Sequence, residues 1–228
     1  MNYPILSCGD CAVTVQVGYE ISEETNRKVV SLMRALAESS IPGLRELVPS
    51  YSAVCVHYDS EQISYEQLLE RLNDLEIKEL SSESASQKIV EIPVCYGGEY
   101  GPDLAFVAEH NGLSPEEVIA IHSGGTYLVY MLGFLPGFAY MGGMDERIAT
   151  PRLASPRARI PAGSVGIAGG QTGIYPLASP GGWQLIGRTP VKMFAMEGET
   201  GKFALSAGDR VKFVPISEEQ YREMEGEV

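Results

Sequence analysis

Apolar and polar residues alternate from Ala12 to Val17, with Val13, Val15 and Val17 on one side, which predicts a half-buried strand. The period then lengthens. Between Ser22 and Glu38, Val29, Leu32, Met33 and Leu36 recur at helical spacing behind an N-cap serine. Leu44 to Val48 and Ala53 to Tyr58 return to strand-like patterns on either side of Pro49-Ser50, as in a hairpin. A second helix is predicted from Tyr65 to Leu75, opened by Ser64 and Gln67 as a capping box and carrying Leu68, Leu72 and Leu75 on one face. Strand, helix, strand, strand, helix and a closing strand make a ferredoxin-like α/β domain over residues 1–80.

The polar, small-residue run Ser81-Ser82-Glu83-Ser84-Ala85-Ser86 interrupts this pattern, and 81–87 is predicted to be a linker. A second domain, 88–228, begins with a strand from Lys88 to Tyr96. Two helices follow, Pro102 to His110 ended by Gly112, and a second opened by Ser114, Pro115 and Glu117 and ended at Gly124. From Thr126 onward helical spacing vanishes. Short apolar runs at Tyr127–Phe134, Ser164–Ala168, Val191–Met196 and Arg210–Val214 alternate with Gly and Pro, which favours a closed or nearly closed β-barrel. The fold class expected is therefore α+β, a small α/β domain followed by a barrel.

Composition narrows the function. With 228 residues, 44% apolar content and 21% charged residues, the chain is ordinary globular protein, and a formal charge of -13 disfavours nucleic acid as a partner. No run approaches the length of a membrane span, and the first twenty residues lack the marks of a secretory signal, so the cytoplasm is the expected location. Cys8 and Cys11 have the spacing of half a zinc or redox motif, but no second close pair follows, and no metal is expected.

Candidate chemistry concentrates in 133–190, where Gly and Pro surround Arg, Gln, Thr and Tyr. Glycine lets backbone N–H groups approach a ligand, and arginine offers a planar fork to carboxylate or phosphate. Arg152, Arg157 and Arg159 are candidate anion clamps, and Gly169, Gly170 and Gly173 with Gln171 and Thr172 are candidates for holding a developing oxyanion. His122 is a candidate general acid or base. Each has a plain alternative: His122 as a counter-charge at a helix C-terminus, Arg157 and Arg159 as surface charges, Gly169-Gly170 as a tight turn. Phe134, Phe138 and Tyr140 read as barrel core or subunit interface in preference to a substrate-stacking platform, and Trp183 as readily core as contact.

Leu132-Gly133-Phe134-Leu135-Pro136-Gly137-Phe138-Ala139-Tyr140, the stretches from Pro151 to Arg159 and Pro161 to Pro176, Ile92 to Gly98, and Ser179 to Pro190 together resemble the KipI family, also called allophanate hydrolase subunit 1 or the 5-oxoprolinase B-subunit family. The resemblance implies a cyclophilin-like barrel as the second domain. It implies two partners, a C-type subunit of related barrel fold and a third, A-type subunit, which together with this chain convert 5-oxo-L-proline to L-glutamate with ATP. It also adds Tyr175 and Arg188 to the binding candidates. ATP belongs to the complex, since no phosphate loop is present here, and biotin is not expected because Lys192 lacks an acceptor context. Two other functions follow from related proteins: inhibition of a sporulation sensor histidine kinase through the barrel domain, and a carboxyltransferase-like role related to urea amidolyase.

Overall fold

The computed structural model describes residues 3–78, 89–198 and 200–226, and the chain divides into two compact units, Met1–Ser86 and Gln87–Val228. The predicted linker, 81–87, and Lys88 lie outside the described residues.

In the first unit, β1 (Ile5–Ser7), β2 (Ala12–Gln16), α1 (Glu23–Glu38), β3 (Leu44–Pro49), β4 (Ala53–Tyr58) and α2 (Tyr65–Asn73) follow in sequence. The sheet order is β1-β2-β4-β3, with every neighbour antiparallel. Val13, Val15, Val54 and Val56 on one face of the sheet pack with Val29, Leu32, Leu36, Leu68 and Leu72 of the helices. Both helix starts are capped as their sequences require: Ser22 accepts from Thr25 N–H, and Ser64 and Gln67 form the reciprocal capping box. The element order departs from expectation at one edge. Among the described residues no strand follows α2, where 75–78 are irregular; the fourth strand of the sheet is β1, which precedes β2 and pairs Ile5 with Val15. Only three residues long, β1 has too little alternation to be legible as a strand.

The second unit contains β5 (Ile89–Tyr96), α3 (Leu104–Asn111), α4 (Pro115–Gly124), β6 (Tyr127–Leu132), β7 (Ala139–Gly142), β8 (Arg157–Ile160), β9 (Ser164–Ala168), β10 (Gln171–Ile174), β11 (Ser179–Gly181), β12 (Gln184–Arg188), β13 (Phe194–Glu197), β14 (Thr200–Phe203), β15 (Arg210–Pro215) and α5 (Glu218–Gly226). Seven strands close a barrel in the order β10-β7-β6-β15-β5-β12-β9. Closure leaves no sheet edge and depends on one long-range parallel pairing, β15 with β5. Inward residues Ile92, Val94, Val129, Met141, Val165, Ile167, Ile174, Ile186, Val211 and Phe213 fill the interior, and α3 and α4 add Leu104, Val107 and Val118 to the same cluster. Two ribbons stand outside the barrel: β8 with β11, and β13 with β14. The apolar run at Val191–Met196 therefore supplies an external hairpin, not a stave.

Candidate functional site

Strand alternation sorts the residues of 133–190 onto two sides of the barrel wall. On β10, Thr172 and Ile174 point inward while Gln171, Gly173 and the following Tyr175 point outward. On β9, Val165 and Ile167 point inward and Gly166 and Ala168 outward.

The inward side holds a buried polar relay. His122, near the end of α4, is fully buried among apolar and aromatic side chains, with its ring stacked on Phe213 at 4.5 Å. Thr172 Oγ1 donates to Gly166 O at 3.1 Å, so it accepts from His122 Nε2–H at 2.9 Å. His122 Nδ1 then accepts from the Tyr96 hydroxyl at 2.7 Å. Both ring nitrogens are used, one as donor and one as acceptor, which fixes the neutral imidazole. Desolvation drives the His122 pKa down to about 3 and pushes the Tyr96 hydroxyl well above its ordinary range. The two residues proposed from the sequence as an acid–base and an oxyanion donor are thus hydrogen-bonded to each other with no exposed surface. Tyr96, the third member of the relay, carried no sequence signal beyond its place at the end of a strand.

The outward side holds an aromatic cluster. Phe138, Tyr175 and Trp183, with Ile160 and Leu185, form a buried group separate from the barrel interior, and Phe138 meets Tyr140, Tyr175 and Trp183 edge to face at 4.8–5.5 Å. Its floor is glycine. A Cβ on Gly173 would stand 3.0 Å from Trp183 and 3.1 Å from Phe138, so this position serves close aromatic packing. Tyr175, proposed as a binding residue, is buried in this cluster, which raises its pKa through desolvation.

The four candidate arginines have four environments. Arg152 is exposed and lies over the Trp183 ring, 5.9 Å from its centroid. Arg157 is bonded to Asp103 Oδ1 at 2.6 Å, and Asp103 Oδ2 accepts from Leu185 N–H at 2.6 Å. Asp103 occupies the N-cap position of α3 but makes no side-chain cap there; its carboxylate instead joins β8 to β12. Arg159 is exposed on β8. Arg188 lies elsewhere, over the Tyr100 ring.

Gly169 and Gly170 form the exposed two-residue turn between β9 and β10, with Gly169 at φ 55°, and Gly169 N–H donates to Thr150 O at 2.8 Å. Gln171, half-buried, opens β10. The structure therefore gathers Arg152, Gly169, Gly170, Gln171, Gly173 and Tyr175 along one hairpin and its outer face, and leaves His122, Thr172 and Arg188 apart from them. A cavity of about 360 Å³ lies beside the β6–β7 loop, lined by Leu132, Phe134, Leu135, Pro136 and Phe203. Phe134, at φ 65°, holds its ring 61% exposed there. Among the described residues no three or more His, Cys, Asp or Glu side chains form a metal-binding group, and no helix is long and apolar enough to cross a membrane.

The model of the carboxyltransferase domain, subdomain C and D, matches residues 3–204. The chain is 48% identical to the 5-oxoprolinase B subunit of Bacillus subtilis, over 97% of this chain and 96% of that one. The crystal structure of TTHA0988 is 41% identical with a TM-score of 0.77, covering 90% of this chain but 40% of its own. The Kluyveromyces lactis urea carboxylase shares the fold at 21% identity and a TM-score of 0.81, over 96% of this chain and 22% of its own. From the long motifs, the barrel and these matches together, the chain belongs to the 5-oxoprolinase B-subunit family, within the carboxyltransferase subdomain C and D group.

Proposed function

We propose that this chain is the B-type subunit of a 5-oxoprolinase and contributes to catalysis only within a larger assembly. The observation that carries this reading is the 48% identity to a 5-oxoprolinase B subunit over nearly the full length of both chains. The geometry supports the need for an assembly. The accessible candidates are Arg152, Arg159, Gly170 of the β9–β10 turn and the half-buried Gln171, donors of the kind that suit anions or carbonyl oxygens, whereas Gly169 N–H is committed to Thr150 O. None is an acid or base that titrates near neutrality. The histidine that could serve, His122, is enclosed and neutral.

In this reading the partners are a second barrel protein of the C type and a third component of the A type. ATP acts at the level of the complex by phosphorylating the lactam oxygen, which turns the ring carbon into a better electrophile. This chain supplies positive charge and backbone donors, with Arg152 holding a carboxylate or phosphate, and the Tyr96–His122–Thr172 relay keeps β10 in register beneath them. The fold's occurrence as a fraction of longer chains in TTHA0988 and urea carboxylase is consistent with a barrel that works beside further polypeptide.

The test combines this chain with its two partners, ATP and 5-oxoproline, and measures glutamate with each component omitted in turn. Glutamate only when this chain is present is the expected result; equal turnover without it refutes the reading. A second reading, inhibition of a sensor kinase, draws on the exposed apolar surface at Phe134 and Phe203, which suits a helix better than an anion. In that case the chain suppresses kinase autophosphorylation and Phe134→Asp abolishes the suppression.

A further inference from the structure

Arg188 ends β12 in an environment that none of the preceding chemistry uses. Its guanidinium lies over the Tyr100 ring, 5.6 Å from the centroid, and its Nε is buried without a hydrogen-bond partner. An arginine Nε–H shielded from water and left unbonded is costly, and the group that satisfies it best is a carboxylate accepting from Nε and one Nη together.

Beside Arg188 runs a rigid glycine turn. Gly97 and Gly98 have φ of 72° and 53°. Gly97 N–H donates to Ile186 O at 3.0 Å, and Gly97 O accepts from Tyr100 N–H and Gly101 N–H at 3.0 and 2.8 Å. The turn is therefore fixed against β12, the strand that carries Arg188.

The C-terminal helix α5 covers this place with its own groups. Tyr221 packs on Tyr100, the ring beneath Arg188, at 4.5 Å and joins Cys95 and Tyr100 in a small buried cluster. Glu218, one turn earlier, brings its carboxylate over Gly98, 3.9 Å from where a Cβ would stand. Tyr221 is the buried residue of α5, and the helix has nine residues, too few to be stable without that anchor. Ser217 and Gln220 cap its start and Glu218 pairs with Arg222 at 3.2 Å, yet a short helix with a single buried side chain belongs to the low-stability end of a fold and opens locally without global unfolding.

We propose that Arg188 and the Gly97-Gly98 turn form a binding subsite for a small carboxylate, and that α5 is a displaceable cap over it whose Glu218 and Tyr221 occupy the subsite when no ligand is bound. A carboxylate that binds the uncapped form draws the equilibrium toward it, because a ligand shifts a population by its preference for one state.

Cys95 is a built-in reporter. It is buried beneath α5, whereas Cys8 and Cys11 are exposed in the other unit and serve as internal standards. The experiment follows alkylation of each cysteine in the intact chain by iodoacetamide with mass spectrometry, in sodium acetate against sodium chloride at equal ionic strength. In the unsubstituted chain Cys95 reacts slowly, and acetate accelerates it while leaving Cys8 and Cys11 unchanged. Tyr221→Ala accelerates Cys95 about tenfold or more in either salt, since the helix loses its aromatic anchor. Arg188→Gln removes the acetate effect. Should Tyr221→Ala speed every cysteine and so report unfolding, the milder Glu218→Gln decides, with a smaller rise expected at Cys95 alone.

A Cys95 rate unmoved by either α5 substitution overturns the cap, and an acetate effect that is missing, or that persists in Arg188→Gln, overturns the subsite. Because the isolated chain and acetate suffice, failure here leaves the 5-oxoprolinase reading untouched.

Discussion

Thr172 and Gly173 are neighbours on β10, yet one faces the barrel interior and the other its outer wall, and the two sides use polar groups in opposite ways. Inside, Thr172, His122 and Tyr96 satisfy one another with hydrogen bonds of 2.7–2.9 Å, and Thr172 and His122 have no surface left for a ligand while Tyr96 is half-buried. Outside, Gly173 makes room for Phe138 and Trp183, and Trp183 in turn carries an exposed arginine, Arg152. Polar residues in a closed barrel are therefore weak indicators of a site until the face they occupy is known. A fully bonded buried network specifies shape, whereas an exposed cation on a rigid aromatic base is available for recognition.

The largest effect expected is on the outer wall's own support. Asp103→Ala removes the partner of Arg157 and leaves Leu185 N–H unbonded, which should lower stability by about 3 kcal/mol as measured by denaturant midpoint. Gly173→Val forces a side chain into space that Trp183 and Phe138 fill, with an expected loss of about 2 kcal/mol and a change in Trp183 fluorescence, the chain's single tryptophan. A neutral result for either would mean that the aromatic cluster is looser than its contacts indicate.

The interior makes a pH-dependent contribution. His122 has a folded pKa of about 3 against an ordinary value of 6.5, so between those values the unfolded chain takes up a proton that the folded chain refuses. Stability associated with His122 is thus constant above pH 6.5 and falls as pH drops toward 3, by up to about 1.4 kcal/mol per pH unit. Subtracting the pH profile of His122→Phe isolates this contribution. That variant loses about 2 kcal/mol at about pH 7.5 from the broken relay, and the pH dependence specific to His122 disappears. The smallest stability effect is predicted for Arg152→Ala, about 0.5 kcal/mol, because an exposed cation–π contact is weak.

Much of the architecture was legible in the sequence because helices announce themselves locally. Ser64 with Gln67 and Ser114 with Glu117 formed the capping boxes their spacing predicts, and Gly112 ended α3 in the left-handed conformation. Strand partnership was less legible. The edge strand β1 is too short to show a period, and the pairing of β5 with β15 joins residues more than a hundred positions apart. The site suffered most from this. Arg152, Gln171 and the Gly169-Gly170 turn were chosen as candidates from residue type and glycine content, and the fold leaves them accessible, but the inward turn of His122 and Thr172 depends on barrel closure, which no local window contains. Asp103 left no usable signal: its residue type suits a cap for α3, and only the fold shows its carboxylate committed to Arg157 and Leu185 instead.

The division between faces is tested most directly by placing His122→Gln and Arg152→Ala side by side in the reconstituted 5-oxoprolinase assembly, with melting temperature and glutamate turnover recorded for each. His122→Gln is predicted to lower the melting temperature and keep kcat within about twofold, because glutamine retains a donor in the relay, while Arg152→Ala keeps the melting temperature and lowers kcat/KM about tenfold or more. Loss of turnover in a fully folded His122→Gln, with Arg152→Ala active, would contradict that division.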